Sequence, residues 1–412
     1  MRAGGVRWAA RAVPRSWRAA VVTVCLAASW AGAAAAQDAP PAAEAEAEPE
    51  GFTIAPRGYV QFDWRGFPDW TVVPGTGRLD RDTFEVRRAR VGVDGGWGRF
   101  SYEVTVDPAE GDGVDVRDAY GQWRVGRGLR VRIGQFKLPG SREYQRSARS
   151  LDSLERSALA LAVAPGRDIG AMAAGRVGRA FAYQAGVFAG DGNGRRSRAG
   201  LTGAGRAEWT VAPDVEVAGS ASVGRTEAVD SEAPNGLEGR SSSGYRFFER
   251  VYVDGRRVRT GVDAAWTPGP WRMTAEYLWV RDGRDGVGLD LEDLPAVVGQ
   301  GWSAEVFRAF GRRRGAARAR LREFDLGLRF DALQFDDSGP STASESVRPR
   351  ATDIRPRGVR TWTSSLSWQP WRYGRVIGQV GAERFTESRS APEVGKAGTY
   401  VTFGMRLQVE LP

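Results

Sequence analysis

The stretch TYVTFGMRLQVEL (Thr399–Leu411) decides the fold, because apolar and polar side chains alternate along its whole length. Val401 and Met405 point to one face, whereas Thr402 and Arg406 point to the other, and this period of two is typical of a β-strand. Similar alternation recurs in residues 100–107, 118–125, 129–134, 271–279 and 324–331. The pattern fits either a β-sandwich, whose apolar face meets a second sheet, or an outer-membrane barrel, whose apolar face meets lipid.

Three features favour the barrel. Short turns, such as residues 94–98, 126–128 and 268–270, alternate with long loops, such as residues 66–81 and 226–250, and this inside–outside asymmetry is typical of an up-and-down barrel. The final alternating segment runs to the chain terminus, where it can close against the first strand. Tryptophans lie at or near the short turns, where an aromatic girdle is expected: Trp97, Trp123, Trp209, Trp266, Trp271, Trp368 and Trp371.

The length sets the size of the barrel. At roughly 20–24 residues per strand and connection, residues 56–412 accommodate about 16 strands, an even number that brings both ends to the periplasmic side. A barrel of this size encloses an aqueous channel. The fold prediction is therefore an all-β, antiparallel, up-and-down transmembrane barrel.

The first 36 residues predict a signal peptide. A basic region containing Arg2 and Arg18 precedes an apolar run at residues 19–31, and small residues precede Gln37, so cleavage is expected after Ala36. Residues 37–55 are expected to form a flexible acidic tail, and the localisation predicted is the cell outer membrane.

The composition excludes several classes of protein. The chain has no His and one Cys, Cys25, in the segment expected to be removed, so it lacks a Ser-His-Asp triad and the usual zinc ligands. We expect no enzyme activity, no metal and no cofactor. The 59 Lys and Arg residues outnumber the 50 Asp and Glu residues, but both signs are scattered through alternating strands, a pattern that argues against nucleic-acid binding.

Strand alternation predicts which arginines face the lumen. With the apolar side chains outward, and a bulge near residues 87–88, the inward-facing basic side chains lie on the predicted anion path: Arg88, Arg90, Arg124, Arg130, Arg132, Lys137, Arg206, Arg259, Arg272, Arg329 and Arg406. Two interpretations remain. The arginines either pair with lumen acids such as Glu103 and Asp263 to form a rigid neutral lining, or they attract anions, whose oxygens match the guanidinium fork.

Residues 138–165 interrupt the alternation. The segment is longer than a simple connecting loop, so it is predicted to fold into the lumen as a constriction. It is expected to be partly helical from Ala148 to Ala162. Its candidate basic residues are Arg142, Arg146, Arg149 and Arg156. An exposed lid is the alternative.

Ordered fragments of the chain resemble the phosphate-selective porin O/P family. They include FEVRRARVGVDG (residues 84–95), VRDAYGQW (116–123), VRIGQFKLPGS (131–141), GRDIGAM (166–172) and the closing GMRLQVEL (404–411). The resemblance implies a homotrimer of 16-stranded barrels with an arginine ladder leading to a narrow anion site. It places Arg88, Arg90, Arg329 and Lys137 on that path.

The sequence therefore predicts an outer-membrane porin for passive diffusion of small anions, with phosphate or polyphosphate as the candidate preference. The rival hypotheses are a non-conducting barrel that binds or adheres through its long loops, and a barrel enzyme, which the missing His disfavours.

Overall fold

The structure, a computed structural model, describes residues 51–67, 83–109, 113–126, 128–190, 200–228, 236–242, 244–311, 323–339, 349–386 and 399–411. The predicted signal peptide, its cleavage position at Ala36 and most of the predicted acidic tail lie outside these residues. None of the described helices combines the length and apolar character needed to cross a membrane.

Sixteen antiparallel strands form a closed barrel, which confirms the predicted fold class and strand number. Their bounds are β1 (Thr53–Gly66), β2 (Thr83–Trp97), β3 (Phe100–Asp107), β4 (Asp115–Gly126), β5 (Leu129–Lys137), β6 (Arg167–Val177), β7 (Phe181–Phe188), β8 (Thr202–Ala212), β9 (Val215–Ala228), β12 (Val253–Trp266), β13 (Trp271–Asp282), β14 (Val297–Phe310), β15 (Glu323–Asp337), β16 (Arg357–Trp371), β17 (Gly374–Thr386) and β18 (Thr399–Leu411). A separate hairpin joins β10 (Gly239–Arg240) and β11 (Arg246–Phe248). The first strand begins at Thr53, three residues before the start expected at Pro56.

Barrel strands pair in the order in which they follow one another along the chain, with β12 next to β9, and β1 closes the ring against β18. The closing register runs from Gly58 opposite Leu411 to Gly66 opposite Phe403. The bulge predicted in β2 is present: Gln61 pairs with Arg88 and Phe62 with Val86, so Arg87 is the extra residue. This extra residue reconciles the two halves of β2, because it lets the apolar side chains on both sides of it face outward.

The barrel has its apolar side chains outside. Ile133, Val262 and Leu328 are 63%, 60% and 60% exposed, whereas Arg257 and Arg406 are 2% and 0% exposed. This distribution is the reverse of a water-soluble domain and matches a wall with lipid outside and polar groups inside. The β-sandwich interpretation is therefore excluded.

The loop between β5 and β6, residues 138–166, lies inside the barrel. It contains the short helix α1 (Arg142–Gln145), a 3₁₀ turn at Ala148–Ser150 and the helix α2 (Ala158–Val163). All residues from 151 to 160 are buried. The expected entry into the lumen is confirmed and the exposed lid is excluded, but the predicted helix from Ala148 to Ala162 is broken between residues 151 and 157.

A second segment enters the mouth of the barrel at its long-loop end. The β10–β11 hairpin contributes Phe247 and Phe248, which pack against Phe335 of the wall with ring centroids 6.2 and 4.5 Å apart. Leu159 of α2 belongs to the same buried apolar cluster. The two segments together fill the part of the lumen next to strands β13–β17 with an apolar core.

Candidate functional site: the lumen and its loop

Glu155 fixes the loop to the wall near β1, β2 and β18. Its carboxylate accepts hydrogen bonds from Arg87 at 2.6 Å, Arg88 at 2.8 Å and Arg65 at 3.0 Å, and Arg406 lies 3.5 Å away. Burial alone would raise the pKa of Glu155, but the surrounding guanidiniums, Arg88 foremost, hold it well below its usual range. The carboxylate is thus ionised and shared by four arginines.

Asp152 makes a second anchor, to strands β13 and β17 of the wall. It lies 2.7 Å from Arg375 of β17 and 2.9 Å from Arg272 of β13, and 2.8 Å from Arg146 of the loop itself. Burial opposes ionisation here too, yet Arg272, Arg375 and Arg146 lower the pKa of Asp152 to about 2. Both acids stay charged at neutral pH because wall arginines surround them.

The first turn of the loop is held by strands β8, β9 and β12. Arg206 donates to Asp263 at 2.6 Å and to the carbonyl of Gly140 at 2.7 Å. Arg142 pairs with the same Asp263 at 2.6 Å and with Glu216 at 3.0 Å. One wall carboxylate therefore links a wall arginine to a loop arginine.

Contacts around Glu143 tie the two short helices together. The carboxylate of Glu143 accepts a hydrogen bond from the backbone N–H of Ser157 at 2.8 Å and lies 3.4 Å from Arg329 of β15. Arg156 donates to the carbonyls of Glu143 at 3.2 Å and Arg146 at 2.6 Å. Arg156 and Arg329 thus stabilise the loop's own fold.

Many of the arginines expected on the anion path therefore face the lumen but bind the loop. These arginines contact the loop or belong to it, and none of them lines the open cavity: Arg88, Arg206, Arg272, Arg329 and Arg406, together with loop residues Arg142, Arg146 and Arg156. Arg259 is buried beside Pro139 and Ser141 at the start of the loop. Arg124 is half-buried on β4.

An open cavity of the lumen lies between the loop and strands β1–β7. It is a cavity of about 360 Å³ that has basic side chains from both the wall and the loop. Its charged lining consists of Arg57, Arg90, Glu103, Asp118, Arg130, Arg132, Lys137, Arg149 and Arg167. Seven cationic groups thus face two carboxylates in this lining.

The two carboxylates of the cavity are already compensated. Glu103 pairs with Arg57 and accepts a hydrogen bond from the Tyr120 hydroxyl at 2.6 Å. Asp118 binds Arg167 through two hydrogen bonds of 3.1 and 3.0 Å. The cavity therefore presents no unpaired carboxylate to a passing ion within the described lining.

Two of the predicted path residues line the cavity but have partners. Arg90 donates to Asp107 at 2.8 Å. The Lys137 ammonium donates to the carbonyls of Tyr144, Gln145 and Arg146 at 2.8, 3.1 and 2.8 Å. Since these three bonds use all three ammonium hydrogens, Lys137 positions the loop.

Three guanidiniums on the cavity have no carboxylate partner among the residues that the structure describes. Arg130 and Arg149 are exposed to the cavity. Arg132 donates to the side-chain oxygen of Gln122 at 2.9 Å and stacks over Tyr120, with 4.1 Å from the guanidinium carbon to the ring centroid. Two of these three come from β5 and one from the loop, so both sides of the cavity carry uncompensated positive charge.

Reasoning from the sequence missed several contributors. Arg57 lies on the lumen face of β1, in the same alternating set as Tyr59 and Asp63, so strand parity was a usable signal. Arg65 and Arg375 bind the loop acids, and strand parity on β1 and β17 likewise places them on the lumen face. Strand parity did not identify Arg167 as a cavity residue. It is the first residue of β6 and lies opposite Lys137.

Comparisons with known proteins agree with this geometry. Residues 58–304 match the family described as phosphate-selective porin O and P. No curated protein sequence is significantly similar to the chain.

Several solved structures share the fold. The outer membrane channel DcaP of Acinetobacter baumannii superposes with a TM-score of 0.58 at 10% identity, covering 88% of this chain and 98% of that one. The in-vitro folded, trimeric form of OmpT from Vibrio cholerae gives 0.56 at 11% identity over 88% and 100% of the two chains. An anion-selective porin from Comamonas acidovorans gives 0.54 at 10% identity, again over 88% and 100%. At these identities the likeness concerns the fold alone.

Proposed function

This chain belongs to the phosphate-selective porin O and P family and is an outer-membrane porin, and from that premise we propose that its channel passes small anions in preference to cations. The observation that carries the proposal is the lining of the open cavity. Arg130, Arg132 and Arg149 face it without carboxylate partners in the described part of the chain, while Glu103 and Asp118 are paired.

The mechanism is electrostatic. Uncompensated guanidiniums in a narrow lumen with low-dielectric walls raise the local concentration of anions and lower that of cations. Each guanidinium replaces part of the hydration shell of an oxyanion, and several weak sites in succession let the ion leave again. The planar fork matches phosphate oxygens, so phosphate or polyphosphate is the proposed preferred cargo.

We expect the reconstituted wild-type chain to favour chloride over potassium. In a planar bilayer with a KCl gradient, the reversal potential should lie toward the chloride equilibrium potential. Added phosphate should reduce the chloride current if phosphate occupies the same guanidiniums. A reversal potential on the potassium side would contradict the anion proposal. Absence of conductance would favour the rival binding or adhesion role through the long loops.

We further propose that the mature chain begins at Gln37 and forms a homotrimer. The proposal is supported by the basic and apolar segments before Ala36 and by the trimeric form of the OmpT structure. Native mass spectrometry of the protein extracted from outer membranes tests both parts. The expected complex has three subunits, each with the mass of residues 37–412. A monomer, or a subunit that retains Met1, would refute the corresponding part.

A further inference from the structure

The lipid-facing wall contains an apolar groove that the channel does not use. It has a volume of about 1000 Å³ and lies across strands β12–β18. Its lining includes Trp266, Met273, Ala304, Phe330, Trp362 and Val401. These side chains alternate with lumen-facing ones: Trp362 is 44% exposed, whereas the adjacent Thr361 and Thr363 are 1% and 3% exposed. The groove therefore opens toward the membrane.

Two arginines lie at the end of this groove nearest the long loops. Arg360 of β16 is directly opposite Arg384 of β17, and the next outward-facing pair along the same strands is Trp362 opposite Ala382, both in the groove lining. Arg360 and Arg384 are exposed. They share the face of Trp362, so they point to the outside of the barrel.

Within the described part of the chain, no acidic side chain compensates this arginine pair. Neither guanidinium has an ion-pair or hydrogen-bond partner within the described ranges, and the residues opposite the pair on the flanking strands are Ala332 and Thr399. A second opposed pair on the same rim, Arg225 and Arg256, differs, because Asp254 lies 3.2 Å from Arg225. Like charges directly opposite on neighbouring strands are destabilising unless an anion lies between them.

We propose that this face binds a phosphorylated lipid of the outer leaflet, with a headgroup phosphate between Arg360 and Arg384 and an acyl chain in the groove below. Guanidiniums bind phosphate through charge-assisted hydrogen bonds, and arginines near the membrane interface are tolerated where they meet anionic headgroups. Trp362, directly below Arg360, belongs to a residue type that marks the interface.

The arginine pair and the groove together favour a phosphorylated lipid over a free phosphate or an uncharged lipid. A free phosphate would need only the arginines, and an uncharged lipid would need only the groove. Here the two features are continuous along β16 and β17, as the headgroup and tail of one molecule require. The proposal depends on the outer-membrane location and not on anion conduction through the lumen.

The test uses the full mature chain in detergent and diphosphorylated lipid A as the probe. The double variant Arg360→Gln/Arg384→Gln should bind lipid A roughly tenfold or more weakly than the wild type, since removing each charge-assisted hydrogen bond weakens binding several-fold. The matched control, Arg308→Gln/Arg372→Gln, removes two arginines near the short-turn rim and should bind as the wild type does. Unchanged channel conductance shows that each variant is folded, because all four side chains lie away from the lumen cavity.

Two further measurements separate the possible occupants. Ala382→Phe narrows the groove and should weaken lipid A binding while leaving the affinity for inorganic phosphate unchanged. Equal losses for both probes would identify a simple phosphate site and overturn the lipid proposal. Lipid A affinity of the double variant within twofold of the wild type would also overturn it. The proposal would also be overturned if the double variant changed its oligomeric state in lipid-free detergent while its affinity for lipid A stayed the same. That result would assign the face to contact with a second copy of the chain.

Discussion

Replacing Arg130, Arg132 and Arg149 together by Gln is expected to remove most of the channel's preference for chloride over potassium. The three side chains are the cavity guanidiniums without a carboxylate partner in the described residues, whereas the carboxylates of Glu103 and Asp118 remain after the substitution. The substitution therefore lowers the charge of the lining by three while keeping polar side chains that form hydrogen bonds. The local enrichment of anions, about tenfold or more for a cleft of one sign, should largely disappear.

The measurement is the reversal potential of the triple variant in a KCl gradient, at low and at high salt. The effect should be largest at about 0.1 M salt, where the screening length is roughly 10 Å, and smaller at about 1 M, where it is roughly 3 Å. Single substitutions should give intermediate shifts, since the three guanidiniums act on the same cavity.

A second triple variant controls for net charge. Arg225→Gln, Arg281→Gln and Arg308→Gln remove the same total charge from exposed side chains on the outer wall, where strand alternation places them away from the cavity. This variant should keep the wild-type reversal potential. If both triples shift the potential equally, selectivity arises from the charge of the whole barrel and the assignment to the cavity is wrong.

Strand alternation predicted the strands, and the alternation of short turns with long loops and the tryptophans near the short turns favoured a barrel over a sandwich. Strand alternation also predicted the bulge beside Arg88, since β2 could keep its apolar residues outward only by inserting an extra residue. The β10–β11 hairpin was not predicted. The hairpin is buried because Phe247 and Phe248 pack against Phe335, which is distant in the sequence. The hairpin segment has no periodicity that predicts this contact.

For the candidate site, strand parity predicted which side chains face the lumen but not what they contact there. Parity places Arg329 and Arg406 on the lumen face, and both are there, but parity does not say whether an inward-facing arginine meets water or the loop. That outcome depends on the path of residues 138–166. The path is set by long-range pairs between its acids and the wall, such as Glu155 with Arg88 and Asp152 with Arg375. The positions of these acids were visible in the sequence, but their partners were not.

Replacing Glu155 by Gln is expected to loosen the loop and widen the channel. The substitution leaves Arg65, Arg87, Arg88 and Arg406 around a neutral amide, and removal of one partner from a buried ion pair costs about 3–5 kcal/mol. Mutual repulsion among the four guanidiniums adds to the loss. Single-channel recordings should show a higher or fluctuating conductance, and amide hydrogen exchange of residues 151–160 should accelerate. The extra positive charge should leave the channel at least as anion-selective as before.

Asp282→Asn is the matched control for this variant. Asp282 is a buried carboxylate at the long-loop end of β13, and it accepts a hydrogen bond of 2.6 Å from Arg257 of the neighbouring strand β12. Replacing Asp282 by Asn removes the same charge and also breaks a buried ion pair. Because this pair joins two wall strands, the substitution should lower the stability of the barrel without changing its conductance. Equal conductance changes in the two variants would mean that Glu155 does not specifically hold the loop.

Acidification should reproduce the loosening only at very low pH. Because wall arginines lower the pKa of Glu155, and lower that of Asp152 to about 2, the stabilisation from both carboxylates is complete above their unfolded pKa, about 4. It is lost as the pH falls from there through the folded values. Wild-type conductance should therefore stay constant from neutral pH to about pH 4 and rise only below it, whereas the Glu155→Gln channel should already be wide at neutral pH. Widening of the wild-type channel between pH 7 and 5 would show that groups other than these two acids control the loop.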